Sequence, residues 1–319
     1  MDILQTIHDK IRLLPQDNHV LGVKAVITHI ETAEKYLLRA KKENDENLFT
    51  DVIYRTNHAF EGILKEAYTI LAEKDASKKT PNEIEQYLID HNIFKPRLMD
   101  LFKNYRTEWR NPSTHDYKLF FSEQEAFLAI VNVSAFVSIL LDQIVEKVNY
   151  RAEKEKAKDQ ALLIRGNITD YNKMPLQQKL TELFLAFSQD FITSKKADKE
   201  LREYAVLGLI NGFFSAIDPT IKIEQEVIVG TERKLIADMI FSLGNEKVIV
   251  EIKRTLTVKP NLTRAEEQLS LYLLKSGIDK GILYFFPLTT HDGMESEKVT
   301  INYGERELNI VRIYPNIKR

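Results

Sequence analysis

One stretch of the chain, residues 233–254, constrains the fold more than any other. Its sequence is RKLIADMIFSLGNEKVIVEIKR, in which two apolar runs rich in Ile and Val flank the pair Gly244-Asn245. Apolar runs of this length on either side of a Gly-Asn pair are typical of two strands joined by a tight turn. The sequence therefore predicts a hairpin, with strands over residues 234–241 and 248–253.

Three charged side chains interrupt the apolar pattern of this hairpin. Asp238 lies in the first strand, and Glu251 and Lys253 lie in the second. Successive residues of a strand point to opposite faces, so Glu251 and Lys253 share a face, and pairing of the strands allows Asp238 to join them. Two carboxylates there would hold Mg²⁺ or Mn²⁺, hard cations that prefer oxygen ligands. Lys253 would orient or deprotonate water, or neutralise charge in the transition state.

The same three charges also have a structural interpretation. A strand with one solvated face often carries charged residues, and Asp238 would then be a surface residue, with Glu251 and Lys253 at a solvated strand edge. The many apolar residues around them indicate a buried sheet instead. Charges that point into a buried environment need partners, so we expect these side chains to form a site.

The residues on either side of the hairpin predict an α/β domain with a mixed central sheet. Helix, three strands, helix and strand follow one another, and such a series packs as helices against a sheet. The expected elements are a helix over 176–192, a helix from about Asp198 to Ala216, a strand over 221–229, the hairpin, a helix from the capping box Thr263–Glu266 to Gly277, a buried strand over 281–286, and a terminal hairpin over 299–303 and 308–314.

With Asp238 and the run Glu251-Ile252-Lys253, this series of elements resembles the PD-(D/E)XK superfamily of restriction-endonuclease-like nucleases. The resemblance covers about residues 201–286, and the proline of the family's name is absent. It implies Mg²⁺- or Mn²⁺-dependent hydrolysis of phosphodiester bonds in DNA or RNA. Asp238 and Glu251 would ligate the metal, and Lys253 would be catalytic.

The resemblance implies further site residues on the two neighbouring helices. Many members of the superfamily carry a glutamate on the helix before the first strand, and Glu203 is the first candidate for this third metal ligand, with Glu200 the second. Recombination-type members add a glutamine and a tyrosine on the helix after the motif. Gln268 and Tyr272 match these, and at i and i+4 they share a helix face. The alternative for Gln268 is ordinary polarity of a helix surface.

Residues 1–150 show helical spacing and no strand pattern. The expected helices cover about 20–42 and 48–72, a short helix from the capping box Thr80–Glu83, a helix over about 96–110, and a long apolar helix from the capping box Ser122–Glu125 to near Tyr150. The charged run 151–160 and a Gly- and Asn-containing loop after it predict a linker over 151–175. The predicted domains are therefore 1–150 and 176–319.

Composition excludes several classes of protein. The chain has no cysteine, so disulfides and thiolate metal sites are absent, which fits a cytoplasmic location. The apolar run 126–141 is shorter than the roughly 20 residues that a membrane span needs, and predicts a buried core helix rather than a membrane segment. With a net charge of −2, the chain lacks the strongly basic body of a non-specific nucleic-acid binder, so any such contact must be local.

A second candidate site follows the fourth predicted helix of the N-terminal half. Pro112 biases Asn111 away from helical conformation, so Arg110 and His115 are expected to flank a short bend. Arginine holds phosphate and histidine moves protons near neutral pH, so these two residues with Asn111 could cleave RNA without a metal. The structural alternative is that Arg110 interacts with the helix C-terminus and His115 with the loop.

The spacing of Arg110, Asn111 and His115 resembles the R-x4–6-H motif of the HEPN family of helical domains, over most of residues 20–148. The resemblance implies a homodimer in which two copies of the motif form one site. His58, three residues after Arg55, could lie near it, although a structural histidine is the more common case.

The whole chain thus resembles a HEPN-like helical bundle fused to a restriction-endonuclease-like domain, a pairing that implies an effector of prokaryotic anti-phage or toxin-type defence. Two alternatives stay open. One is a metal-independent HEPN ribonuclease with a C-terminal binding module, and the other is a non-enzymatic scaffold of a defence or repair complex.

Overall fold

The computed structural model of the chain describes residues 3–14, 18–115, 118–193, 201–230, 235–253, 259–287 and 293–316. The chain divides into two compact units, Met1–Val148 and Asn149–Arg319. The first is helical, and the second contains a mixed sheet.

The N-terminal unit contains the predicted helices, and no strand is found among its described residues. Its elements are α1 (Ile3–Ile11), α2 (Asn18–Glu43), α3 (Asn47–Ile70), α4 (Pro81–Asp90), α5 (Pro96–Tyr105), a π-helical turn (Arg106–Arg110), α6 (Asn111–His115) and α7 (Glu123–Lys158). Both predicted capping boxes are confirmed. Thr80 and Glu83 exchange hydrogen bonds through their side chains and backbone N–H groups, and Ser122 and Glu125 do the same.

An aromatic cluster fills the core of this unit. The ring of Phe60 on α3 stacks on Tyr105 at a centroid distance of 4.7 Å and also packs on Phe102 and Phe136. All four side chains are fully buried. Rings of this size contribute much of the apolar area that stabilises a small helical core.

The long apolar helix α7 is a core helix, as predicted. By length and composition it is the one described helix that would be able to span a membrane, but 56% of its most apolar window is buried inside the protein. Val133, Phe136 and Leu140 are completely buried. This burial is typical of a core helix of a soluble protein.

Residues 151–175, predicted as a charged linker or loop at the domain junction, are mostly helical. Helix α7 continues to Lys158, and within this charged end Ala157 and Glu153 are buried. Lys156 forms ion pairs with Glu153 and Asp190, and all three residues belong to the C-terminal unit. The charges of this run therefore flank a buried stripe, so the segment is an amphipathic helix end rather than a solvated linker.

The C-terminal unit follows the predicted order of elements. They are α8 (Ala161–Asn167), a 3₁₀ turn (Tyr171–Lys173), α9 (Leu176–Thr193), α10 (Glu203–Ile217), β1 (Lys222–Val229), β2 (Leu235–Leu243), β3 (Glu246–Lys253), α11 (Lys259–Ser276), β4 (Lys280–Phe285), β5 (Met294–Tyr303) and β6 (Arg306–Pro315). Gly277 ends α11 with a φ of 75°, as predicted.

Two helix starts differ from the prediction. Helix α10 begins at Glu203 rather than near Asp198, because Arg202 has an extended backbone; Asp198 itself lies outside the described residues. Helix α11 begins at Lys259, one turn before the expected capping box at Thr263. Pro260 is the second residue of α11, a first-turn position in which its missing N–H costs no intrahelical hydrogen bond.

The six strands form one mixed sheet in the order β1-β2-β3-β4-β6-β5, as the sequence predicted for the sheet type. Strands β1, β2 and β3 are antiparallel, β3, β4 and β6 are parallel, and β5 returns antiparallel to β6 as the predicted terminal hairpin. Gly244 turns the β2–β3 hairpin with a φ of 57°.

Helices cover both faces of this sheet. Helices α9 and α10 pack on one face, where Phe184, Phe214 and Phe241 meet. Helix α11 packs on the other, through Leu269 and Leu273. The middle strands β3 and β4 are consequently buried on both sides.

Candidate active site

Strands β2 and β3 separate at Asp238. Their backbone pairing runs from Leu243–Glu246 to Met239–Val250 and ends there. Beyond that point, the Asp238 carboxylate accepts a hydrogen bond from the Ile252 backbone N–H at 2.7 Å. The Asp238 backbone lies close enough to the Glu251 carboxyl to lower its pKa, against the larger effect of burial. A side-chain oxygen of Asp238 therefore takes the place of a carbonyl oxygen between the strands. We call the point where β2 and β3 separate the fork, and Asp238 and Glu251 both lie there.

The neighbouring strand β1 is distorted at the same level. Gln225 pairs with Met239 and Val227 pairs with Ala237, which places Glu226 opposite Asp238. The φ of Glu226 is 50°, a left-handed value that few residues other than glycine adopt in a strand.

Strand β2 changes face at the level of this distortion. Ala237 should share a face with Met239 under strict alternation. Instead Met239 packs in the core under α9 and α10, whereas Ala237 packs in the core under α11. A local irregularity that re-aims one side chain is a common device at the edge of a functional site.

The strain at Glu226 predicts an unusual order of substitutions. We expect Glu226→Gly to be more stable than Glu226→Val by about 1–3 kcal/mol, because a β-branched residue tolerates positive φ poorly and glycine adopts it freely. Both variants lose the carboxylate, so their difference reports the backbone alone. Chemical denaturation followed by circular dichroism measures it, and equal stabilities would show that the backbone is not strained there.

Glu251 is the most deeply buried charge of the site. Its side chain is 3% exposed, and its Oε1 accepts a hydrogen bond from Lys253 Nζ at 2.6 Å. Its Oε2 is buried and has no hydrogen-bond partner among the residues that the structure describes. A buried carboxylate oxygen without a donor is costly unless a cation or water completes it.

Lys253 connects the strand to helix α11. Besides Glu251, its Nζ donates to the Gln268 side-chain oxygen at 3.0 Å. The Gln268 amide then donates to the Tyr272 hydroxyl at 2.6 Å, and Tyr272 is 6% exposed. The structure therefore brings Gln268 and Tyr272 to the site by one helix face, and Gln268 is not an ordinary surface residue.

Burial and mutual repulsion shift the pKa values of the two carboxyls. The pKa of Asp238 is raised to about 7, first by burial and then by the charge of Glu251. The pKa of Glu251 is raised by burial, although the hydrogen bond from Lys253 opposes this. One lysine ammonium thus does not balance two carboxylates, and the site favours additional positive charge.

Glu203 lies farther out than the other predicted residues. It is the first residue of α10, and its charge adds a smaller upward effect to the pKa values of Asp238 and Glu251. No group of three carboxylates or histidines close enough to hold a metal ion is found among the described residues. Glu200, the second candidate, lies outside them.

The donor set of Asp238 and Glu251 fits a divalent cation. Mg²⁺ is commonly bound through one or two carboxylates and keeps several waters, so it does not require a third protein ligand. The unpartnered Oε2 of Glu251 and the raised pKa of Asp238 indicate where added positive charge would be stabilised. The fit rests on these two side chains, with Glu203 as a more distant third.

The predicted bend at Arg110 is helical, which corrects that expectation. Residues 106–110 form a π-helical turn, and Asn111 has helical φ and ψ of −67° and −48° although it precedes Pro112. Residues 96–115 form one uninterrupted helical run, and Pro112 follows directly after the π-helical turn, in which the Asn111 N–H donates to the carbonyl oxygen of Arg106. The tertiary structure therefore overrides the bias against helix before proline.

Arg110 is held by carboxylates of its own unit. Its guanidinium lies 3.4 Å from Glu61 and 4.0 Å from the buried Glu85, and it donates to the Asn111 side chain at 3.0 Å. Arg106 also reaches Glu85, at 3.8 Å. The structure thus brings Arg110 and Asn111 together, but the arginine charge is already neutralised. The His115 side chain lies outside the described part of the chain.

His58 packs against helix α2 and is not among the described contacts of Arg110. Its ring stacks on that of His29 from α2, at a centroid distance of 5.3 Å. Sequence reasoning missed this pairing because the two histidines are 29 residues apart and share no motif. It also missed Glu226, since nothing in a strand sequence marks a left-handed residue other than glycine.

No protein-family model matches this chain, and the comparisons with curated proteins and with solved structures found no similar protein. The geometry of the fork is therefore what defines the candidate site.

Proposed function

We propose that the C-terminal unit is a Mg²⁺-dependent nuclease of the PD-(D/E)XK, restriction-endonuclease-like type. The observation that carries the proposal is the fork between β2 and β3. There Asp238, Glu251 and Lys253 meet, and one buried carboxylate oxygen has no partner in the described part of the chain. The order of α10, three antiparallel strands, α11 and a parallel strand supports it.

The residues of the fork divide the chemistry among them. Asp238 and Glu251 would hold the divalent cation, which supplies Lewis acidity at the phosphate and lowers the pKa of bound water. Lys253 donates to Glu251 and to Gln268, which use two of its three ammonium protons; the third has no partner among the described residues and would serve water or a phosphate oxygen. This donor would stabilise charge as it develops on the phosphate.

Gln268 and Tyr272 act on Lys253 rather than on the substrate. The chain of hydrogen bonds from Tyr272 through Gln268 to the lysine fixes the position of Nζ. A long side chain loses considerable rotamer entropy when it is fixed in one conformation. Because these hydrogen bonds already hold Lys253, it reacts from a smaller set of conformations.

The test is cleavage of single- and double-stranded DNA and RNA by the full chain in millimolar Mg²⁺ or Mn²⁺. We expect cutting that a chelator abolishes, and a loss of at least about 100-fold in Lys253→Ala. Lys247, an exposed lysine of the same strand, provides the matched control, and Lys247→Ala should cut like the parent. If Lys253→Ala cuts as well as the parent, the assignment of the site is wrong.

The same assay separates the alternatives. Cleavage of RNA alone that survives the chelator and is lost in His115→Ala would favour a metal-independent HEPN-like ribonuclease. Absence of cleavage under all conditions would favour a scaffold, although the adjacency of Asp238 and Glu251 supports an enzyme. The HEPN-like assignment of the N-terminal unit, homodimerisation, a cytoplasmic location and a role in prokaryotic anti-phage or toxin-type defence stay proposals drawn from the resemblance.

A further inference from the structure

Helices α2 and α3 present a row of aromatic and cationic side chains on one surface of the N-terminal unit. His29 and Tyr36 come from α2, and Tyr54, Arg55 and His58 come from α3. The His29 and His58 rings stack with an interplanar angle of 22°. The Arg55 guanidinium lies 3.5 Å from Nδ1 of His29 and 5.7 Å from the centre of the Tyr36 ring. We call these five residues the α2–α3 surface.

The spacing of these residues explains how the row forms. His29 and Tyr36 are seven residues apart, which is two turns of α2, and Tyr54 and His58 are four apart, which is one turn of α3. A short connection joins the helices, so they run antiparallel and the two sets meet side by side. Tyr54 is 47% exposed and His58 is also exposed, whereas His29, Tyr36 and Arg55 are partly exposed, so solvent reaches the row chiefly at Tyr54 and His58.

The cationic part of this surface lacks carboxylate partners. Arg55 forms no ion pair with a carboxylate in the described part of the chain. Of the neighbouring glutamates, Glu31 contacts His8 at 3.0 Å and Glu61 contacts Arg110. Arg55 is partly exposed, and a guanidinium that solvent reaches and no carboxylate neutralises attracts anions.

The position of Arg55 is fixed before any ligand arrives. Burial and the positive charges of His58 and Arg55 lower the pKa of His29, so its neutral ring accepts a hydrogen bond from Arg55. Asp51, one turn before Arg55, is exposed and forms no ion pair with it in the described residues. The guanidinium is therefore held by imidazole and tyrosine rings, which leave its charge in place.

We propose that the α2–α3 surface binds a single strand of nucleic acid, with Arg55 and His58 at the phosphates and Tyr54 stacked on a base. Proteins that bind single strands combine cations along the backbone with aromatic rings on which bases stack. Both side-chain types lie in one row, with Tyr54 and His58 exposed and Arg55 partly exposed, which meets this requirement, whereas a site for a lone phosphate ion would need no exposed tyrosine. The near-zero net charge makes such a local surface necessary for contact with nucleic acid.

This surface shares its class of ligand with the proposed nuclease, but it does not depend on cleavage. Binding is measured in chelator, so failure of one proposal leaves the other standing. If the chain cuts nucleic acid but variants of the α2–α3 surface bind it as the parent does, only the present inference is overturned. Binding by this surface in a chain that never cuts would overturn only the nuclease.

The experiment is titration of labelled single-stranded RNA and DNA oligonucleotides with the full chain, followed by fluorescence anisotropy. We expect the Arg55→Gln/His58→Gln variant to bind about tenfold more weakly, with a shallower dependence on salt because a phosphate contact is lost. Tyr54→Ala should also weaken binding about tenfold without changing the salt dependence, and Tyr54→Phe should bind like the parent. His58→Gln alone, at an exposed position, serves if the double variant does not fold.

The matched control is Arg39→Gln/His91→Gln, which removes an exposed arginine and an exposed histidine elsewhere in the same unit. It should bind like the parent. Equal weakening in both double variants would overturn the proposal, since general electrostatics would then explain the binding. Unchanged binding in Tyr54→Ala, with displacement of the oligonucleotide by millimolar inorganic phosphate, would reduce the surface to a phosphate site and also overturn it. Weaker binding of the surface variants to the RNA oligonucleotide only, or to both the RNA and the DNA oligonucleotides, supports the proposal and identifies the nucleic acid that the surface binds.

Discussion

The Asp238→Asn variant is expected to be more stable than the parent protein and unable to cut nucleic acid. In the absence of metal, the two carboxylates at the fork repel each other in a buried environment, and an amide removes one charge without removing the acceptor for the Ile252 N–H. Sites of this kind carry a stability cost for their function. We expect a gain of about 2–4 kcal/mol above pH 8, from the pKa of about 7 and the value of 1.36 kcal/mol for each pKa unit.

The gain should depend on pH in a defined direction. The pKa of Asp238 is about 7 in the folded protein and near the ordinary value of 3.8 in the unfolded chain, so between these values the folded state holds more protons. The stability that this group contributes is complete below pH 4 and is lost as the pH rises through about 7. The variant should therefore match the parent at low pH and exceed it at high pH.

Urea denaturation in chelator at several pH values measures this difference. Glu224→Gln is the control, because it removes an exposed carboxylate from the neighbouring strand β1, and it should change the free energy of unfolding by less than about 0.5 kcal/mol. A parent that remains more stable than Asp238→Asn at pH 8 would show that Asp238 is stabilised by its surroundings, and the fork would then be a structural feature.

Gly212→Ala is expected to destabilise the C-terminal unit by about 3 kcal/mol. A Cβ atom at this position would lie 2.4 Å from the carbonyl oxygen of Tyr150 and 3.0 Å from the backbone nitrogen of Lys154. Both contacts are with backbone atoms of α7, so no flexible side chain can move aside, and α10 must shift away from α7. Because Glu203 begins α10 and this helix covers the sheet, the shift should also reduce cleavage.

The matched substitution is Gly166→Ala in helix α8. A Cβ there would meet no atom within 4 Å, so alanine should stabilise the helix by about 0.5–1 kcal/mol. The one tryptophan, Trp109, reports only on the N-terminal unit, so hydrogen exchange of strand β3 is the appropriate measurement for both variants. Equal exchange in Gly212→Ala and the parent would contradict the close approach of the two helices.

Much of the secondary structure was predictable because it depends on local patterns. The turn at Gly244, the capping boxes at Thr80 and Ser122, and the end of α11 at Gly277 each follow from the conformational preferences of a few adjacent residues. Helix starts were less accurate. The first residues of α10 and α11 carry no distinctive capping pattern, and a charged run read as a linker formed a helix because its buried side packs in a core.

The candidate site was predictable in its members but not in its geometry. Alternation along β3 places Glu251 and Lys253 on one face of the strand, and the i, i+4 spacing along α11 places Gln268 and Tyr272 on one face of that helix. Contacts between separate elements decide the geometry. Through them Lys253 joins the two sets, Glu251 keeps an oxygen without a partner among the described residues, and Glu226 is strained opposite Asp238.

The sequence by itself determined the order of elements, the mixed sheet and the residues at the fork, because periodicity and turn preferences are properties of neighbouring residues. Only the tertiary structure decided that Arg110 is neutralised by Glu61 and Glu85, and that Arg55 instead lies among His29, His58 and Tyr36. Charge and exposure are set by whatever side chains packing brings within a few ångströms, and those come from segments far apart in the chain. A motif therefore names the residues that can do chemistry, while packing decides which of them are free to do it.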